Sequence, residues 1–178
     1  MNSDRPVTGT ADPLSADLLF ADLLFADIDG IAVRRAAAGD VPAIVALLAD
    51  DELGAARESP QDLAPYLAAF AVIDADPHQL LIVAQRGADV VATLQLSYLP
   101  GLSRRGTTRA QIEGVRVASS ERGNALGTQL MRWCIAQSRQ RGCQVVQLTS
   151  DKTRTEAHRF YEKCGFVATH EGYKLDLS

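Results

Sequence analysis

The chain is poor in the groups that hold metals or cross-link a small fold. It has 3 cysteines and 3 histidines in 178 residues. Cys134, Cys143 and Cys164 are odd in number, no Cys-x-x-Cys occurs, and no histidine stands at ligand spacing from them. A metal site is therefore not expected, and the thiols read as reduced side chains of a cytoplasmic protein. His78, His158 and His170 have no partner pattern and read as solvated positions. Long apolar runs are missing too, so no membrane span is expected. The N-terminus lacks the basic segment and clean apolar stretch of a secretory signal. The net charge is −4, but residues 1–30 hold six Asp against Arg5, and residues 31–178 hold 17 basic and 16 acidic side chains. The near-neutral remainder has no basic stripe, which argues against nucleic acid as a partner.

What is present centres on residues 113–128. An apolar run, Ile112 to Val117, stops at the polar turn Ser119–Asn124, and an amphipathic pattern follows from Ala125. Gly123, Ala125 and Gly127 leave backbone N–H groups unobstructed where that helix begins, a ready site for phosphate. No Gly-Lys-Ser/Thr follows, which excludes a P-loop nucleotide site.

The rest of the chain reads as one domain with an extension. Residues 1–30 form an acidic, flexible leader with a repeated Ala-Asp-Leu-Leu-Phe at residues 16–20 and 21–25. The domain proper spans 31–178. It starts with a short strand at Ile31–Arg35, then a helix capped by Asp40 and running to about Leu53. A second helix runs from Ser59-Pro60 to about Ile73. Leu80–Arg86 and Val90–Leu99 form a hairpin, with Leu94, Leu96 and Tyr98 alternating with Thr93, Gln95 and Ser97. After a Pro100–Thr108 loop come the strand Ala110–Val117, the helix from Ala125 to Arg141-Gly142, and a strand at Gln144–Thr149. Thr153-x-x-Glu156 reads as a capping box for a helix with Ala157, Phe160, Tyr161 and Cys164 on one face. Phe166–Thr169 and Tyr173–Leu177 can close the sheet. This order predicts an α/β fold of the mixed α+β kind, with helices on both faces of a central sheet.

Two blocks, Val115-Arg-Val-x-x-x-x-Arg-Gly-x-x-Leu-Gly127 and Ala157-x-x-Phe-Tyr-x-x-x-Gly-Phe166, resemble the GNAT superfamily of N-acetyltransferases. The match covers roughly residues 110–170. The resemblance implies a single-domain fold with a mostly antiparallel sheet and a splayed strand pair that binds CoA. It implies acetyl-CoA as cosubstrate and a primary amine of a small molecule or peptide as acceptor, with direct transfer in a ternary complex. The alternative is a catalytically weak acyl-CoA sensor or interaction module of the same fold. Members often dimerise, so a homodimer is open to this chain.

On that resemblance the amides of Arg122, Gly123, Asn124, Ala125, Leu126, Gly127 and Thr128 would hold the pyrophosphate, with Arg122 adding charge. Val115, Arg116 and Val117 would present backbone to the pantetheine arm, with a bulge permitted at Gly114. The chain departs from the family pattern twice. Ala125 stands where glycine is usual and needs ordinary helical φ/ψ to be tolerated. Arg154 stands where Asn is frequent. It either reaches a CoA phosphate or faces solvent.

Glu113 is the candidate base. In strict alternation it shares a face with Val115 and Val117, and a bulge would break that parity. The alternative is a carboxylate that orients substrate or pairs with Arg109 or Arg116. Tyr161 is the candidate acid for the departing thiolate, or else a core aromatic. Gln111, Tyr98 and Glu171 are weaker substrate-side candidates. Arg104, Arg105 and Arg109 either attract an acidic substrate or are solvated.

Overall fold

The computed structural model describes residues 24–50 and 52–177. The first copy of the leader repeat lies outside these residues. The elements are β1 (Leu24–Ile28), β2 (Ile31–Arg35), α1 (Val41–Ala49), α2 (Glu52–Ala55) and α3 (Ala64–Ala75), then β3 (Gln79–Arg86) and β4 (Asp89–Pro100). They continue with α4 (Ser103–Gly106), β5 (Thr108–Val117), α5 (Leu126–Gln140), β6 (Val145–Leu148) and α6 (Thr155–Lys163). The strands form one 6-stranded sheet in sequence order, β1 to β6. All neighbours are antiparallel except β5 and β6, which run parallel. This is the mixed, mostly antiparallel α/β architecture that the sequence implies. The sheet starts one strand earlier than Ile31, with β1 turning into β2 through Asp29 and Gly30.

Alternation in β3 and β4 assigns the two faces. Leu80, Ile82 and Ala84 with Ala92, Leu94, Leu96 and Tyr98 join Leu126, Leu130, Met131 and Cys134 of α5 in one core. Val83 joins Val41, Ile44 and Val45 of α1 and Phe70 of α3 in a second core on the opposite face. Spacing of i, i+4, i+8 in α5 turns Leu126, Leu130 and Cys134 to the sheet, each at most 1 % exposed. Burial on that scale, about 2 kcal/mol per large aliphatic side chain, is what fixes the helices to the sheet.

Several local expectations change. The second helix begins at Ala64 rather than at Ser59, because Pro65, which has no N–H, is seated in its first turn. Asp40 precedes α1 but does not cap it. Its carboxylate takes a bidentate pair from Arg34 at 2.7 and 2.8 Å and a bond from the Ala37 N–H at 2.7 Å. The Thr153 capping box does not form: its hydroxyl donates to Asp151 at 2.7 Å, and Arg154 occupies the N-cap of α6 without a side-chain cap. The closing strands at 166–169 and 173–177 are not made. Residues 166–177 carry no regular structure, and Tyr173 is 92 % exposed.

Tyr98 is not a substrate-side residue. It is 3 % exposed in the α5 core, with the Arg141 guanidinium 4.6 Å from its ring centre. Its hydroxyl is buried with no hydrogen-bond partner, and burial pushes its pKa up to about 12. A buried donor left unpaired costs about 1–3 kcal/mol. Tyr98→Phe is therefore expected to raise unfolding stability by about 1 kcal/mol, some 2–4 °C in Tm, checked by thermal and urea denaturation.

Candidate active site

β5 is paired differently along its two edges. Its β4 edge is paired from Thr108 to Val117. Its β6 edge is paired only from Arg109 to Ile112, where Leu148 ends the ladder. From Glu113 to Val117 that edge has no strand beside it among the described residues, so β5 and β6 part there. This is the splayed pair that the resemblance implies.

The same stretch carries a bulge. Thr93 pairs with Arg116 and Gln95 with Glu113, so Leu94 alone faces both Gly114 and Val115. Gly114 has φ +60°, a conformation glycine adopts at little cost. The bulge overturns the strict-alternation reading of Glu113. Directly opposed residues share a face. Glu113, opposite Gln95, faces α1 and α3. Val115 and Val117 pack with the α5 core. Gln111, opposite Ser97, shares the face of Glu113 and accepts from Gln147 at 2.7 Å. Glu113 is exposed and makes no ion pair among the described residues, with Arg109 and Arg116 included.

Beyond Val117 a single turn at Ser119–Glu121 leads into α5. The amides of Gly123, Ala125, Leu126, Gly127 and Thr128 have no protein acceptor among the described residues, and the first turn's bond runs from Gln129 N–H to the Ala125 carbonyl. They are the open donors of a helix start. Gly127 is needed neither by its φ nor by packing. A Cβ placed there would meet Phe160 at 3.5 Å and Val117 at 3.7 Å, both ordinary contacts. Glycine inside a helix costs about 1 kcal/mol against alanine. Phe160 so close to Gly127 also brings the two sequence blocks together in space.

Ala125 departs from expectation. It caps α5 with φ 61° and ψ 0°, a left-handed conformation, not a helical one. That costs a residue with a Cβ about 1–2 kcal/mol.

Two ion pairs hold the turn, and neither is legible in sequence spacing. Glu121, 7 % exposed, takes Arg86 of β3 at 2.8 and 3.1 Å. Arg86 first, and Asn124 in a smaller way, hold the Glu121 carboxyl below the usual carboxylate range. Arg122 does not point freely into the cradle. It donates to Asp50 Oδ2 at 3.0 Å and to the Val117 carbonyl at 3.3 Å, tying the turn to the end of α1.

Tyr161 lies half-buried between Phe160 and Phe166, edge-to-face with both. Burial raises its pKa, while Arg116 and Arg154 pull against that rise. Arg154 thus stands toward Tyr161. Burial also raises the pKa of Cys134, Cys143 and Cys164, which disfavours thiolates at all three. Among the described residues there is no cluster of three or more metal-ligating side chains, and no helix long and apolar enough to cross a membrane. Arg104 and Arg105 are exposed on α4, and Glu171 is exposed and paired with Lys152 at 2.9 Å.

The Acetyltransferase (GNAT) family model matches residues 42–166. The chain belongs to that family. Among individual relatives it is 29% identical over 101 residues to the aminoalkylphosphonate N-acetyltransferase of Salmonella typhimurium, a match covering 57% of this chain and 65% of that protein. It is 36% identical over 88 residues to the glucosamine 6-phosphate N-acetyltransferase of Trypanosoma brucei brucei, covering 49% of this chain and 58% of that protein. The chain thus spans less than two thirds of the length of these curated relatives. Among solved structures it is similar to a transcriptional regulator from Bacillus halodurans C-125, with TM-score 0.79 and 44% identity over 83% of this chain and 99% of that one.

Two stability outcomes follow from the turn. Ala125→Gly relieves about 1–2 kcal/mol of strain and loses about 0.4–1 kcal/mol through the freer unfolded chain. The net gain is about 1 kcal/mol in a urea melt. Glu121 has its folded pKa depressed, so its contribution is complete above the unfolded value of about 4.3. That contribution is lost as pH falls through the folded value. Glu121→Gln should flatten the acid limb of stability against pH between neutrality and pH 3, measured by denaturant midpoints.

Proposed function

We propose that this chain is an acetyl-CoA-dependent amine N-acetyltransferase, acting by direct transfer in a ternary complex. The observation that carries the reading is the course of β5. It loses its β6 neighbour at Ile112 and then runs into the turn where the amides of Gly123, Ala125, Leu126, Gly127 and Thr128 have no protein acceptor among the described residues. The residues suit acetyl-CoA. A pyrophosphate takes the helix-start donors, aided by the dipole of α5. The amide-rich pantetheine arm can pair with the open edge of β5 like an added strand. Arg122 contributes charge only by leaving Asp50. Arg154 sits where it can meet the arm near Tyr161.

When bound, acetyl-CoA supplies the acetyl thioester. Glu113 takes the proton of the acceptor ammonium, which has a pKa of about 10 and must be neutral to attack. The amide near Val115 donates to the acetyl oxygen as charge builds there. The neutral nitrogen forms its bond to the acetyl carbon, and Tyr161 gives its phenolic proton to the departing sulfur as the carbon–sulfur bond breaks; the second proton shed by the nitrogen restores the phenol. Its raised pKa keeps it protonated at neutral pH, as an acid must be. The same burial disfavours the thiolate, which offsets the weaker acidity of the buried phenol.

The enzyme reading is tested by CoA release from acetyl-CoA over a panel of amines. Initial rates at varied concentrations of both substrates should give intersecting lines; parallel lines would indicate an acetyl-enzyme. Absence of turnover with every amine despite tight acetyl-CoA binding would make the protein a binding module. Tyr161→Phe should lower kcat about 10²-fold while acetyl-CoA affinity is kept. Glu113→Gln should lower kcat/KM for the amine by about 10²-fold at neutral pH. A base defect recovers as pH rises toward the amine pKa; a defect in substrate orientation does not, so the pH profile separates the two roles.

A further inference from the structure

On the face opposite α5, a cleft opens between α1, α3 and the sheet, with Gly114 of the bulge in its wall. It is continuous with the face that bears Glu113, since Gln95, the cross-strand partner of Glu113, also lines it. Its free volume is about 130 Å³. A dry cavity of about 150 Å³ lined by aliphatic and aromatic side chains takes up benzene.

The walls are apolar: Ile44, Val45 and Leu48 from α1, and Phe70 and Ile73 from α3. Among the described residues no Lys, Arg, Asp, Glu or His lines the cleft. The Tyr66 and Thr93 hydroxyls and the Gln95 amide nitrogen are engaged within the protein. Tyr66 Oη donates to Glu58 at 2.9 Å and accepts from the Ser59 N–H at 2.8 Å. Thr93 Oγ1 donates to the Ile82 carbonyl at 2.9 Å, and Gln95 Nε2 donates to Gln79 at 2.9 Å. A phosphate or phosphonate placed here would lose its water without gaining a cation. An apolar group would lose nothing. The carboxylate of Glu113, exposed beside Gly114, supplies the charge that an ammonium needs at the mouth.

We infer that the acceptor is a primary amine carrying a compact, uncharged apolar group of about the size of a benzene ring, with its nitrogen at Glu113 and its apolar part in the α1–α3 cleft. This rests on the acetyl-transfer reading and names its substrate class. It sets this chain apart from the relatives named for aminoalkylphosphonate and glucosamine 6-phosphate.

The test compares 2-phenylethylamine and a series of straight-chain alkylamines with 2-aminoethylphosphonate and glucosamine 6-phosphate, by CoA release. Across the alkylamines kcat/KM should rise about four-fold per methylene until the cleft is full. The phosphate-bearing amines should be at least about 100-fold poorer than 2-phenylethylamine, the loss expected when a charged group is buried unpaired. Ala69→Phe, which adds bulk to the cleft wall from α3, should raise KM for 2-phenylethylamine about ten-fold and leave KM for acetyl-CoA unchanged. Equal rates for apolar and phosphate-bearing amines, or no response of 2-phenylethylamine to Ala69→Phe, would overturn the proposal. Should no amine turn over, calorimetric binding of 2-phenylethylamine with CoA present decides the cleft alone. Binding weakened by Ala69→Phe supports it, and no binding refutes it.

Discussion

The site depends on one constraint: a backbone edge that is paired for part of its length and abandoned for the rest. Buried N–H and C=O groups require partners. β6 is only 4 residues long and runs out at Leu148, whereas β5 continues to Val117. The exposed ladder positions from Glu113 onward must bond to water or to a ligand. A chain with alternating amides and a diphosphate end meets both the open edge and the helix start that follows it. Under the proposed reading no cationic side chain is needed at the pyrophosphate, since the donors are main chain. That is consistent with Arg122 being spent on Asp50.

Such an edge is useful only if it is rigid, and most of the polar contacts near it serve that end. Glu121 reaches 35 residues back to Arg86 on β3, and Arg122 reaches 72 residues back to Asp50 at the end of α1. The turn between β5 and α5 is thereby held from two directions. Val117 and Phe160 close on Gly127 from beneath. The strained backbone at Ala125 is tolerated because these contacts over-determine it.

The parts legible in the sequence were those set by repetition. The alternation of Leu94, Leu96 and Tyr98 and the helical spacing of Leu126, Leu130 and Cys134 placed the hairpin, α5 and the inner faces correctly, because burial drives both periods. The two family blocks pointed to the cradle and to Tyr161, and Phe160 does meet Gly127. What sequence could not give was anything decided by tertiary pairing. A bulge is a count of two residues against one across strands, and only the β4 register shows that Glu113 turns away from Val115. Ala125 read as helical because no local signal announces a left-handed alanine. Thr153 has the spacing of a cap, yet its hydroxyl found Asp151 nearer. The segment 173–177 alternates like a strand, but alternation cannot supply the neighbour that a strand needs.

The bulge at Gly114 therefore does more than bend a strand. Without it, Glu113, Val115 and Val117 would lie on one face, and the carboxylate would point into the α5 core with the valines. Desolvation of an unpaired carboxylate there would cost several kcal/mol. One extra residue lets the valines remain in the core, where they fix the strand, while the carboxylate emerges toward α1 and α3. The two halves of the site are thus divided between the two faces of a single strand. In the proposed reaction the open edge and helix start serve the acyl donor, and the carboxylate and apolar cleft serve the acceptor. A left-handed residue is required at the crossing point, and glycine, which adopts φ +60° without penalty, is the residue found there.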